Sequence, residues 1–318
     1  MPKAVFLDLE TVSRDDIDLS PLDATPYEWQ YHHATLPAET RERIAGAELV
    51  VSNKVVLDTD TLQQSSGLKL VCIAATGTNN VDLARAGELG IAVTNVAGYS
   101  TPAVVQHVFA LVLSLTTRLF DYRTALQDGA WQRSDQFCLL DFPIRELQGK
   151  RLGIVGYGAL GSAVAQVAEA FGMEILIAQR PGGDPAPGRL PLDELLPRVD
   201  VLSLHCPLTE QTRNLIGDRE LALMKNDALL INTARGGIVD ETALSATLRS
   251  GQLGGAGIDV LGVEPPREGN PLLEPGIPNL VVTPHTAWAS RESRQRLIDG
   301  VAENIRAYLA GEVRNRVV

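Results

Sequence analysis

The stretch that decides the fold is Arg151-Leu152-Gly153-Ile154-Val155-Gly156-Tyr157-Gly158-Ala159-Leu160-Gly161. Apolar β-formers run into Gly156-x-Gly158-x-x-Gly161, and helix formers follow from Ser162 to Phe171. Strand, tight glycine turn and helix in that order form the first half of a dinucleotide-binding βαβ unit. Gly156 permits the turn. Gly158, without a Cβ, lets backbone approach a pyrophosphate, and Gly161 lets the helix pack close to the strand. The helix N-terminus then offers free N–H groups and partial positive charge to phosphate. Leu160, Val164, Val167, Ala168 and Phe171 recur at helical spacing, so one face is apolar. A second strand is expected at Glu174–Ala178. A plain βαβ turn without ligand is the competing reading.

Working outward, 318 residues suffice for two domains. A net charge of -11 disfavours nucleic acid and anionic membrane surfaces as partners, because both require a basic face. Charge arrives too early in Met1-Pro2-Lys3 for a signal peptide, and no apolar run reaches the ~18 residues of a membrane span. Cys72, Cys138 and Cys206 are widely spaced and fit no metal pattern, so free thiols in a cytoplasmic protein are expected, with no metal site.

Before the glycine turn, apolar strands are expected at Lys3–Leu7, Tyr27–His32, Ala47–Ser52, Leu68–Ala74 and Gly90–Asn95, with helical patterns between them. Residues 1–98 thus read as a small, mostly parallel α/β domain. Its loop Ala75-Thr76-Gly77-Thr78-Asn79-Asn80 follows a strand directly. Thr76 and Gly77 there offer backbone N–H groups to a substrate carboxylate, or the loop is only a turn leading to a helix cap. Val96–Ser100 reads as a hinge. Thr101-Pro102 opens a helix expected to run to about Asp128, with threonine as N-cap. It is apolar on nearly all sides, as a buried helix or a subunit contact would be, and His107 reads as a packed helix residue.

After the turn, strands are expected at Glu174–Ala178, Val199–His205, Ala228–Thr233, Gly255–Val260 and Asn279–Thr283, making six with the first. Pro181–Pro191 reads as a loop. The last helix, Ser290 to Ala310, is placed to return to the first domain and make it discontinuous. The expected division is therefore 1–98 with 288–318 as substrate domain, and 99–287 as cofactor domain.

Three chemical side chains stand just beyond successive strands: Arg235 in Asn232-Thr233-Ala234-Arg235-Gly236-Gly237, Glu264 in Val263-Glu264-Pro265-Pro266, and His285 in Thr283-Pro284-His285-Thr286-Ala287-Trp288. The carboxyl edge of a parallel sheet is where ligands sit. A carbonyl that accepts hydride needs an anchor and a proton donor. Arg235 suits the anchor, gripping a carboxylate with paired donors, and His285 suits the acid/base. Glu264 beside it would hold the ring tautomer and favour the imidazolium. His205, also at a strand end, reads as a wall of the cofactor cleft.

These motifs, with Gly156–Gly161 and His205-Cys206-Pro207-Leu208-Thr209 followed by Thr212 and Asn214, resemble the D-isomer-specific 2-hydroxyacid dehydrogenases, on the glycerate dehydrogenase/hydroxypyruvate reductase branch. The resemblance implies an α/β chain of two doubly wound parallel-sheet domains, one flavodoxin-like and discontinuous, the other a Rossmann domain. It implies a homodimer, and the roles of Arg235, Glu264 and His285 given above, with Arg235 and His285 also touching substrate. Thr101, Leu160, Gly161, Cys206, Pro207, Thr212, Thr233, Ala234 and Asp259 would line the cofactor, Asp259 near the nicotinamide amide. The substrate would be a small 2-keto or 2-hydroxy acid, hydroxypyruvate first and glyoxylate second. A D-lactate or phosphite dehydrogenase and an NAD(H)-binding corepressor are the alternatives.

One position departs from the NAD pattern. Where an acidic residue normally binds the ribose 2′-hydroxyl, this chain has Gln179-Arg180. Arg180 suits a 2′-phosphate, so NADP(H) is expected to be accepted; a solvated loop arginine is the other reading.

Overall fold

A computed structural model describes residues 1–318, which fall into two compact units, Met1–Pro102 with Trp288–Val318, and Ala103–Ala287.

The first unit is built on five parallel strands: β1 (Lys3–Phe6), β2 (Glu28–Tyr31), β3 (Ala47–Ser52), β4 (Leu70–Ile73) and β5 (Ala92–Thr94). Their order is β2-β1-β3-β4-β5, the flavodoxin-like arrangement. Strands β4 and β5 are buried at every position, as strands of a sheet covered on both faces must be. The helix Arg291–Leu309 supplies Leu297, Ile298, Val301, Ala302 and Ile305 to one face of this sheet. Those positions recur at three- and four-residue steps, so the C-terminal segment completes the core that residues 1–102 begin. Asn304 donates to the Asn95 carbonyl, and Arg294 grips both oxygens of Asp16.

The unit boundary falls at Pro102 rather than after Gly98. Residues just past Gly98 are held by the C-terminal segment. The Tyr99 carbonyl accepts from Arg296, and the Tyr99 ring meets Trp288 edge-on. Thr101 is the first residue of the helix Thr101–Thr116 and not its cap; its hydroxyl donates to the Gly98 carbonyl.

The second unit carries seven parallel strands: β6 (Arg151–Val155), β7 (Glu174–Ala178), β8 (Arg189–Leu190), β9 (Val201–Leu204), β10 (Leu229–Asn232), β11 (Gly255–Ile258) and β12 (Leu280–Val282). The order β12-β11-β10-β9-β6-β7-β8 is the doubly wound arrangement, with one added edge strand. The seventh strand is β8, two residues inside the Gly/Pro-rich segment expected to be loop. It is too short for periodicity to reveal, and the Gln179 N–H donating to the Leu190 carbonyl extends its pairing with β7.

The helix from Thr101 stops at Thr116, not near Asp128. The Thr116 and Thr117 hydroxyls both bond back to helix carbonyls, a local competition that bends helices. The Thr116 carbonyl is taken by the Arg145 N–H from outside. Arg118 then adopts a left-handed conformation (φ +57°), and a second helix, Leu119–Gln127, leaves at 58°. The first helix is buried through Val104, Val105, Val108, Phe109, Leu111, Val112 and Leu115. No single helix is long and apolar enough to cross a membrane.

Candidate active site at the carboxyl edge of the second sheet

Parallel strands end with their last carbonyls facing one edge, and each loop there must satisfy its own backbone. Two buried residues do this. Asn232 closes β10: its amide donates to the Arg235 carbonyl, and its Oδ1 accepts from the Ala234 N–H. Asp259 follows β11: its Oδ1 accepts from the Thr286 N–H at 2.9 Å and its Oδ2 from the Ala287 N–H at 3.0 Å. Asp259 is 1% exposed, so a carboxylate there requires such partners. The Asp259 N–H donates in turn to the Asn232 carbonyl. Loops carrying Arg235, Glu264 and His285 are thus joined through two side chains.

Contact between the first two loops is tight. A Cβ on Gly236 would lie 1.8 Å from the Leu261 carbonyl oxygen, so only glycine fits beside Arg235. The Leu261 N–H donates to Glu264 Oε1 at 2.8 Å, and Glu264 Oε2 lies 2.6 Å from His285 Nδ1. A carboxylate only accepts, so Nδ1 carries the hydrogen and Nε2 is the nitrogen left for proton exchange. His285 holds φ +55°, a conformation uncommon outside glycine, fixed by its N–H donating to the Asp259 and Thr283 carbonyls. Arg235 is exposed. Its Nη1 donates to the Ala234 carbonyl, and it forms no ion pair with any carboxylate of the chain.

The glycine turn fits a dinucleotide. Gly156 has φ +94°, and a Cβ there would lie 2.6 Å from the Cys206 nitrogen, so the turn after β6 is pressed against the loop after β9. That is the point where strand order reverses and nucleotides bind. Gly158 caps the helix Ala159–Ala170, and a Cβ on it would meet nothing within 4 Å, leaving the approach to the helix N-terminus open. Thr233 Oγ1 is buried without a partner in the chain, as a hydroxyl reserved for a ligand would be. Leu160 lies in the helix's first turn. Pro207 gives its carbonyl to the Thr212 hydroxyl, which also accepts from the Thr209 N–H. Burial pushes the Cys206 thiol up to about 11, so it is a neutral wall residue and not a nucleophile.

Gln179 and Arg180 follow β7. Arg180, Arg189, Gly182, Gly183, Asp184 and Gln211 line an open cavity of about 510 Å³. Arg189 had no visible role in the sequence because the strand that aims it is two residues long. Thr76 and Gly77 belong to the first unit, where the Thr76 hydroxyl donates to the Val96 carbonyl and its carbonyl accepts from Asn95. Asp259, expected at the nicotinamide amide, has both oxygens engaged by the 283–287 segment. Asn232 was legible only as part of a motif; an asparagine ending a buried strand before a tight turn is its signal.

The chain is similar to known proteins along its length. Residues 109–287 match the family model for the D-isomer specific 2-hydroxyacid dehydrogenase NAD binding domain. The chain belongs to that family. It is 44% identical to the glycerate dehydrogenase of Methylorubrum extorquens, over 99% of this chain and 98% of the relative. The hydroxypyruvate reductase of Blautia hydrogenotrophica is 35% identical over 99% of each chain. The crystal structure of a Thermus thermophilus protein superposes with a TM-score of 0.87 at 36% identity, covering 99% of this chain and 100% of that one. This 2-hydroxyacid dehydrogenase thus has its NAD-binding domain in residues that include Arg235, Glu264 and His285.

The other strand-end histidine differs in kind. Ser203 Oγ lies 2.9 Å from His205 Nε2, and burial lowers this imidazole to about 4. It is neutral at pH 7, whereas the unfolded chain protonates it near the ordinary value of about 6.5. Between those values the unfolded state binds more protons, so His205 favours folding fully above pH 6.5 and progressively less as pH falls toward 4. Urea midpoints should therefore fall from pH 6.5 to pH 5 more steeply for the wild-type chain than for His205→Gln. The expected difference is on the order of 2 kcal/mol. Parallel pH profiles would refute the assignment.

Proposed function

We propose that the chain reduces a small 2-keto acid to the D-2-hydroxy acid reversibly, with hydroxypyruvate and D-glycerate as the preferred pair and glyoxylate second. The observation that carries the reading is the His285–Glu264 pair on the same sheet edge as an arginine with no carboxylate partner. When bound, the nicotinamide supplies or accepts the hydride at substrate C2. Arg235 binds the substrate carboxylate through paired donors and polarises the neighbouring carbonyl. His285 Nε2 donates its proton to the carbonyl oxygen as that oxygen becomes hydroxyl, and takes it back in the oxidising direction. Glu264 holds the ring by Nδ1 so that Nε2 faces the reaction, and its negative charge pairs with the ring while the ring carries the extra proton. The name of the Methylorubrum relative supports the choice of substrate.

NADP(H) use is proposed on the Gln179-Arg180 pair and on Arg189 across the same cavity. Neither arginine is in an ion pair within the chain. Two guanidinium groups suit a 2′-phosphate, and no acidic side chain follows β7 directly; Asp184 on the rim subtracts some of the charge. The homodimer is proposed on a different face from the one expected. The apolar residues of the helix from Thr101 are buried in the chain, while Leu119, Phe120, Trp131, Phe137, Leu140 and Ile144 are exposed downstream. Phe137 is 90% and Leu140 83% exposed on a segment fixed by Tyr122 stacking edge-on to Phe142. A patch of that kind marks an interface, and a second copy is the proposed occupant.

Assays over a panel of 2-keto acids should give turnover led by hydroxypyruvate. His285→Asn should lower kcat by roughly 10²–10⁴-fold. Arg235→Lys should raise KM, because a single ammonium cannot replace a two-point grip. A folded protein that turns over no 2-keto acid defeats the reading. With both cofactors compared, NADPH should be accepted, and Arg180→Glu should weaken NADPH more than NADH; a strong wild-type preference for NADH would count against the phosphate site. Light scattering should return twice the chain mass for the wild type, and a monomer for the Phe137→Asp/Leu140→Asp double variant. A monomeric wild type removes the dimer proposal.

A further inference from the structure

His107 Nε2 lies 2.9 Å from Thr283 Oγ1 and 3.5 Å from Asp259 Oδ1, and Thr283 Oγ1 bonds Asp259 Oδ1. The three residues come from the helix Thr101–Thr116, the end of β12 and the end of β11, all within the second unit. Nothing in the proposed chemistry uses His107 directly. We propose that His107 and Thr283 are positioning residues that act through Asp259 to hold His285 in place for proton transfer; this rests on His285 being the acid/base of the proposed reaction.

Hydrogen-bond direction carries the argument. The Asp259 carboxylate only accepts, so the single Thr283 hydroxyl hydrogen goes to it. Thr283 Oγ1 must then accept from His107, and His107 Nε2 carries a hydrogen. Without that donor the Thr283 hydroxyl is held by Asp259 alone, and an acceptor site on its oxygen is left unfilled. With it, the oxygen is fixed from two sides, donating to Asp259 and accepting from His107. Asp259 is the hub of the His285 turn: its carboxylate accepts from Thr283, Thr286 and Ala287, and its backbone carbonyl accepts from the His285 N–H at 2.8 Å. Residues on both sides of His285 are thus tied to one buried side chain. A backbone held at φ +55° needs such over-determination to persist. An angstrom of drift in Nε2 is enough to cost a large factor in rate.

The test compares Thr283→Val, Thr283→Ser, His107→Ala, His107→Gln and the Thr283→Val/His107→Ala double variant with wild type. Hydroxypyruvate reduction gives kcat and KM, and tryptophan quenching gives the NADH Kd. Thr283→Val and His107→Ala should each lower kcat by about ten-fold or more, with KM and Kd within about two-fold. Thr283→Ser, which keeps the hydroxyl, and His107→Gln, which keeps a donor, should recover most of the rate. The double variant should be no slower than the slower single, because both break one chain of bonds. The histidine ring NMR signals should show His285 shifted in Thr283→Val but not in Thr283→Ser. Should the His107 variants fail to fold, the Thr283 pair carries the test alone. Singles with wild-type kcat and an unmoved His285 signal, in an enzyme whose wild type is active, overturn the inference. An inactive wild type with ordered ring signals instead defeats the parent reading, and the NMR comparison still decides the network.

Discussion

Everything at the site depends on a buried carboxylate being satisfied by the loop it holds. A parallel sheet delivers its strands to one edge but does not say how the connecting loops lie there. Asp259 sets that arrangement for the His285 loop, and Asn232 does so for the Arg235 loop. Because both are almost fully buried, a misplaced loop would leave a desolvated polar group unpaired, costing about 1–3 kcal/mol or more. That penalty is the physical reason the loops have one geometry. The Asp259 N–H to Asn232 carbonyl bond makes the two hubs one assembly.

Close approach then brings the loops into register. Gly236 against Leu261 and Gly156 against Cys206 are both positions where any β-carbon collides with backbone. Backbone cannot move aside as a side-chain end can. These glycines therefore fix distances rather than supply flexibility. The first sets Arg235 beside the loop that carries Glu264, and the second sets the dinucleotide turn against the residues after β9.

Much of this was legible in the chain. The strands Ala47–Ser52 and Glu174–Ala178 coincide with the runs that announce them, because each has a core of consecutive apolar residues, Leu49–Val51 and Ile175–Ala178, with polar residues only toward its ends. Arg235, Glu264 and His285 were legible as strand-end residues. The helix break at Thr116 was not. Thr116, Thr117 and Arg118 are polar, but helices carry such residues on an outer face; the break comes from two hydroxyls bonding back to helix carbonyls and from the Thr116 carbonyl being taken by the Arg145 N–H. The roles of His107 and Thr283 were hidden for the same reason. Each looks like a routine helix or strand residue until tertiary contact joins it to Asp259. Local pattern reports local structure, and a long-range hydrogen bond leaves no period in the sequence.

The two strand-end histidines show how burial, not residue type, divides the labour. His205 is partly buried, its Nδ1 is shielded without a partner and Nε2 has only a serine hydroxyl, so its charged form has nothing to replace the water it loses; the imidazole is held near 4 and stays neutral. A neutral ring of that kind can line a wall but is a poor proton donor at pH 7, because only the imidazolium gives up a proton readily. His285 lies on the same edge, partly open to solvent, with a carboxylate 2.6 Å from Nδ1. That carboxylate accepts from Nδ1 and so fixes the tautomer. One sheet edge thus carries an imidazole kept neutral and another bonded to a carboxylate. The difference traces to Ser203 standing where a carboxylate would be needed, against Glu264, whose loop is folded back by its own bond to the Leu261 N–H.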